Sequence, residues 1–203
     1  MIVNKNLILK GEKRLAKNTK KKKVKRLLYI LIILIIGFIL VINIKEQMMK
    51  SMYKKEYSEY VEKYSKEYDV DADLIYAIIK AESNFESKAV SNQNAQGLMQ
   101  LMYSTAEEIA ESLDLELTEE NIFEPEINIQ LGTKYISKLL EKYECTEVAL
   151  AAYNAGSGNV DKWIKNGTIK SDGSDIENIP YKETNAYVRK IMRDYEIYKE
   201  LET

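Results

Sequence analysis

Among the side chains of this sequence that could move a proton, Glu82 stands in the most suggestive place. It follows the apolar run Ile75-Tyr76-Ala77-Ile78-Ile79-Lys80-Ala81 and precedes Ser83-Asn84-Phe85, where a helix should end. A carboxyl at a buried helix end beside aromatic residues is hard to ionise. Desolvation raises its pKa, so such a glutamate can hold a proton near neutral pH and act as a general acid. Taken alone the position is weak evidence, because most glutamates near helix ends are solvated or paired. The rest of the inventory narrows the chemistry. The chain has no histidine and one cysteine, Cys145. That excludes nucleophile–histidine triads, histidine-containing zinc sites and a thiolate cage. It also excludes an intrachain disulfide, and Cys145 reads as a small buried apolar residue. Any reaction must use carboxylates, hydroxyls, amides, lysine or tyrosine.

The elements that must position these groups are helical. Beyond residue 45 no useful strand-like alternation appears, and Pro125 and Pro180 are the only prolines. Residues 50–68, rich in Tyr, Lys and Glu, predict a helix or helical stalk. Asp71 is placed to N-cap a helix over Ala72–Ala81, with Leu74, Ile75, Ile78 and Ile79 on one face. Residues 84–98 carry Asn, Ser, Gln and Gly without period and read as a loop. Ser104-Thr105-Ala106-Glu107 is a capping box opening a helix to about Leu113. A helix follows Pro125, with Ile129, Ile136, Leu139 and Leu140 as its apolar stripe. A short one covers Val148–Asn154, and Gly156 and Gly158 should break it. Residues 166–179 have loop composition. The last helix follows Pro180 to about Leu201, with Tyr187, Ile191, Tyr195 and Tyr198 on one face. The fold expected is an all-α domain of five to seven helices.

Four segments give Glu82 a context. Ala81-Glu82-Ser83-Asn84-Phe85 is followed by Gly97-Leu98-Met99-Gln100, then Ala151-Ala152-Tyr153-Asn154-Ala155-Gly156-Ser157-Gly158, then Glu183-Thr184-Asn185-Ala186-Tyr187-Val188. In this order they resemble the lytic transglycosylases of the soluble-transglycosylase (SLT) domain family, relatives of goose-type lysozyme. The resemblance covers about residues 60–200. It implies a lysozyme-like helical domain that cleaves peptidoglycan, with Glu82 as sole acid/base and Ser83 completing the Glu-Ser signature. It further implies that Ser91 helps place the substrate's N-acetyl group and that Gly97, Met99 and Gln100 line the glycan groove. Tyr153 and Asn154 match a motif whose tyrosine hydroxyl points at the catalytic carboxylate. Glu183 and Tyr187 match the motif that closes the cleft. Tyr103 departs from the pattern, standing where many members have proline. Neither a metal nor an organic cofactor is implied.

Each of these residues also has a plainer reading. Gly97 could let backbone approach a sugar or be an ordinary loop glycine. Met99 could be core packing. The amides of Gln100 and Asn154 suit sugar hydroxyls or buried backbone equally. Tyr153 could orient Glu82 or be a core aromatic with a tethered hydroxyl. Glu183 could line the groove or merely favour the N-terminus of the last helix.

The chain's charge is asymmetric. Residues 1–26 hold 11 Lys/Arg and one Glu, residues 27–44 are uncharged and apolar, and residues 45–203 carry a net charge of −12. Eighteen residues at about 1.5 Å each span roughly 27 Å, close to a bilayer core. No small-residue cleavage site follows. Nine Lys/Arg in the 15 residues before the span against four in the 15 after it place the N-terminus in the cytoplasm. The organisation expected is a basic cytoplasmic arm (1–26), a transmembrane anchor (27–44), a helical stalk or first helix (45–68) and an extracytoplasmic catalytic domain (69–203). The expected partners are the cytoplasmic membrane and peptidoglycan glycan strands. Nucleic acid is disfavoured for an acidic domain. A hydrolytic muramidase and a non-catalytic peptidoglycan-binding module are the alternatives.

Overall fold

The computed structural model describes residues 3–201. The chain falls into two compact units, which divide between Lys54 and Lys55. The first is a single helix, α1 (Val3–Met52). It contains an 18-residue window of mean hydropathy 3.2, none of it buried against protein. Leu27, Leu28, Ile32 and Ile33, which point in different directions around the helix, are all exposed. By length and composition this part of α1 is apolar enough to cross a membrane.

The second unit contains, among the described residues, seven α-helices: α2 (Ser58–Tyr68), α3 (Ala72–Glu82), α4 (Tyr103–Ser112), α5 (Pro125–Tyr143), α6 (Thr146–Ala155), α7 (Ser157–Lys165) and α8 (Lys182–Glu200). Single 3-10 turns lie at Asn121–Phe123 and Ile176–Asn178. The stretch expected as one stalk is interrupted, since α1 ends at Met52 and α2 begins at Ser58. α2 packs on α3 and α5 within the second unit.

α3 is the core helix. Asp71 caps it, accepting a hydrogen bond from the Asp73 N–H at 2.9 Å. Leu74 through Ile79 are all buried, so every side of the helix is covered. Each of the three fully buried isoleucines contributes about 1.5–3 kcal/mol of burial free energy. α8 lies along α3 and also meets α6, while α6 rests on α5. The α3–α8 seam carries a buried charge, Asp194, held by Lys80 at 3.0 Å and by Arg193 at 3.0 Å. A fully buried carboxylate needs such partners to remain in the interior.

Two local expectations fail. The Ser104–Glu107 capping box does not form: α4 opens two residues earlier, with Met102 instead of Ser104 as its N-cap and no side-chain cap bond. Tyr103 takes the first helical position and packs on the cluster of Leu101, Ala106 and Ile109. The second glycine, Gly158, breaks nothing. Gly156, at φ +83°, ends α6, and a new helix starts at Ser157 with Gly158 inside it. One glycine makes the turn, and the burial of Val160 and Trp163 outweighs the helix cost of the other.

Candidate active site

Glu82 is the last residue of α3 and is half-buried. It stands where two clefts meet. The first, about 440 Å³, also takes in Ser91, Gln100, Tyr153, Asn154 and Glu183. The second, about 660 Å³, takes in Ser83, Ser91, Gln100 and Lys190. The Tyr187 hydroxyl donates to Glu82 Oε1 at 2.5 Å. Loss of solvent is the dominant influence on this carboxyl and pushes it up to about 7; the Tyr187 hydrogen bond and the nearby Lys190 charge pull the other way. The Tyr187 hydroxyl is itself raised far above its ordinary value by burial and by the Glu82 charge, so it remains a donor. Glu82 can thus carry or release a proton near neutrality.

The loop after α3 is built around hydrogen bonds rather than regular structure. Gly97, at φ +78°, is buried, and a Cβ there would lie 2.6 Å from Asn128 Cγ. Asn128, fully buried on α5, accepts from the Met99 N–H at 2.8 Å and donates to the carbonyls of Gln96 (3.1 Å) and Ile122 (2.9 Å). Ser83 donates to the Leu98 carbonyl at 2.8 Å, tying the end of α3 to this turn. The Tyr153 hydroxyl donates to the Met99 carbonyl at 2.7 Å, and its ring packs on Tyr135 at 5.1 Å.

These contacts sort the residues singled out in the sequence. Ser91, Gln100, Tyr153, Asn154 and Glu183 line the first cleft with Glu82. The Ser91 hydroxyl accepts from the N–H groups of Gln93 (3.2 Å) and Ala95 (3.0 Å), which leaves its own proton for donation. Gln100 uses its amide nitrogen on the carbonyls of Ala89 (3.1 Å) and Gly97 (2.8 Å), leaving its oxygen as the acceptor for a ligand. Asn154 Oδ1 accepts from the Thr184 hydroxyl at 2.7 Å, so its NH₂ is the end offered to the cleft. Glu183 is exposed in the first turn of α8.

Others serve the scaffold. Gly97 accommodates Asn128. Met99 is fully buried, its side chain pressed against Gly132, where a Cβ would lie 2.7 Å from Met99 Cβ. The tyrosine hydrogen-bonded to Glu82 is Tyr187, whereas the Tyr153 hydroxyl, expected to point at that carboxyl, donates to the Met99 carbonyl. Asn128 and Tyr181 lie outside the motifs, and Thr184, inside the last one, had no role assigned to it. Tyr181 is 48% exposed in the first cleft and meets Trp163 edge-on at 5.0 Å. An exposed aromatic between Pro180 and the last helix was its available signal. Among the described residues no group of three or more Cys, Asp or Glu is arranged to hold a metal.

Comparison with known proteins places this architecture. Residues 59–176 match the transglycosylase SLT domain family. The soluble lytic murein transglycosylase of Salmonella typhimurium is 34% identical over 126 residues, 60% of this chain and 19% of that protein. The membrane-bound lytic murein transglycosylase F of Pseudoalteromonas translucida is 35% identical over 95 residues, 43% of this chain and 18% of that protein. The crystal structure of the lytic transglycosylase Slt from Pseudomonas aeruginosa superposes with a TM-score of 0.67 at 32% identity, covering 73% of this chain and 24% of that one. The chain therefore spans about a fifth of the length of the curated relatives it matches.

Proposed function

The chain belongs to the transglycosylase SLT domain family, and on that premise we propose that it is a membrane-anchored lytic transglycosylase acting on peptidoglycan. The observation that carries this reading is Glu82. It stands at the junction of two clefts, hydrogen-bonded by Tyr187 at 2.5 Å, with its carboxyl pushed up to about 7.

The chemistry follows from one carboxyl used twice. Protonated Glu82 gives its proton to the glycosidic oxygen as the bond from the N-acetylmuramyl anomeric carbon breaks. The sugar's own N-acetyl oxygen stabilises the cationic centre. Glu82, now a carboxylate, takes the proton of the same sugar's 6-hydroxyl, whose oxygen closes on the anomeric carbon. The products are a 1,6-anhydro-muramyl end and a free 4-hydroxyl on the next sugar, and Glu82 is again protonated. The tethered 6-hydroxyl outcompetes water by proximity. Ser91, Gln100 and Asn154 supply a donor, an acceptor and a donor along the cleft, a set suited to N-acetyl and hydroxyl groups. Tyr181 offers an aromatic face to a sugar ring.

Glu183 favours a second reading, a hydrolytic muramidase. It is a second carboxylate in the same cleft, and an inverting glycosidase uses a second carboxylate to activate water. Mass spectrometry of products released from purified peptidoglycan separates the two. Anhydro-muramyl ends, lighter by one water than reducing ends, are the expected result; reducing ends would identify the hydrolase. Bound but uncleaved peptidoglycan would leave a binding module.

The anchor belongs to the same proposal. Residues 27–44 cross the membrane, residues 1–26 stay in the cytoplasm, and the second unit works outside. The support is the unburied apolar helix of mean hydropathy 3.2 and the basic excess on its N-terminal side. Resistance to carbonate extraction, with the second unit digested by protease added to spheroplasts, is the expected outcome.

A further inference from the structure

The second cleft carries a cation that the mechanism above leaves unused. Lys190 lines it together with Glu82 and the end of α3. Its Nζ donates to the Ala81 carbonyl at 3.1 Å, the residue before Glu82. That carbonyl lies in the last turn of α3, where backbone oxygens lack a helical partner and a positive charge is favoured. Lys190 follows Tyr187 by three residues, so both reach the end of α3 from one face of α8. We propose that Lys190 is a positioning residue for Glu82: its ammonium, held on the Ala81 carbonyl, steadies the carboxylate that exists between delivery of one proton and uptake of the next. The inference rests on Glu82 being the acid/base.

The other groups around Glu82 leave this task to Lys190. From α8 come the neutral Tyr187 hydroxyl and Glu183, whose charge has the wrong sign. From α6 comes Tyr153, neutral and bonded to the Met99 carbonyl. On α3, Lys80 faces the cleft, but its charge is matched by buried Asp194 at 3.0 Å. Beyond α3, Glu86 on the cleft rim is again acidic. The hydrogen bond of Lys190 goes to a neutral carbonyl, which cancels none of its charge.

The test is the pH profile of kcat/KM for full-length protein in detergent, on soluble glycan strands with and without peptide stems. Wild type, Lys190→Met, Lys190→Arg and Glu82→Gln are compared. General-acid activity falls as Glu82 loses its proton, which gives the alkaline limb. Removing an opposing charge raises that proton's pKa. Lys190→Met should move the limb up by a few tenths of a pH unit, the scale of a solvent-exposed charge pair. It should also lower kcat several-fold with KM unchanged, and Lys190→Arg should restore both. An unmoved limb in Lys190→Met, beside an inactive Glu82→Gln, overturns the role of Lys190 alone. A rise in KM confined to stem-bearing strands, with the limb in place, also overturns it and makes the lysine a reader of stem carboxylates. An active Glu82→Gln removes the assignment on which the inference stands.

Discussion

The loop from Ala89 to Leu101 and the first half of α8 both serve Glu82, and they do so by opposite means. The loop has little regular structure. Its path is fixed by side chains reaching in from three helices: Ser83 from the end of α3, Asn128 from α5 and Tyr153 from α6. Gly97 and Gln100 stand at positive φ within it, and the side chain of Gln100 braces its own turn. α8 is an ordinary helix whose face presents Glu183, Thr184, Tyr187 and Lys190 at helical spacing. In the loop every contact depends on the others, so one change should spread. On the helix each group stands on a backbone that forms without it, so changes should stay local.

The contrast can be broken most severely at Gly97. A Cβ at φ +78° against Asn128 forces the turn apart. Gly97→Ala should destabilise the protein by about 2–4 kcal/mol and abolish cleavage with it. Chemical denaturation alongside an activity assay checks this; a stable, active variant would mean that the loop is not the linked unit described.

Glu82 itself sets the next effect. Its folded pKa of about 7 lies above its ordinary value of 4.5. The folded state therefore binds more protons than the unfolded state between those values. Stability contributed by this group falls as pH rises through that window and is constant above it. Glu82→Gln should match wild type near pH 4.5 and exceed it by about 1–3 kcal/mol at pH 8. Denaturation curves at the two pH values measure the difference, and equal stabilities at both would show a solvated carboxyl.

The smallest stability effect is expected on α8. Tyr187→Phe removes one hydrogen bond and should change stability by about 1 kcal/mol or less. Cleavage should nevertheless drop about 10-fold, because the carboxyl loses its oriented donor. A loss of stability as large as that of Gly97→Ala would erase the distinction between loop and helix.

What could be read from the sequence divides along the same line. α3, α5 and α8 follow from apolar period and from signals next to them in the chain, Asp71 and the prolines, and the structure agrees with all three. Glu82, Gln100, Asn154 and Glu183 stand in the short motifs and Ser91 between them, and one cleft is lined by all five. Gly97 and Met99 belong to the same motif for a different reason, since the turn cannot pack without them. Their meaning depends on Asn128 and Gly132, some 30 positions away, which no local pattern reveals. The tyrosine partners have the same origin: that the Tyr153 hydroxyl meets the Met99 carbonyl and the Tyr187 hydroxyl meets Glu82 follows from contacts between segments far apart in the chain. α7 escaped notice because Gly158 reads as a breaker in sequence, whereas burial of Trp163 carries the helix.

The most direct test of the central claim is the product spectrum of purified peptidoglycan incubated with the full-length protein and, separately, with Glu82→Gln of verified fold. The account predicts anhydro-muramyl products from wild type and none from the variant. Products released by the folded variant at the wild-type rate would contradict it.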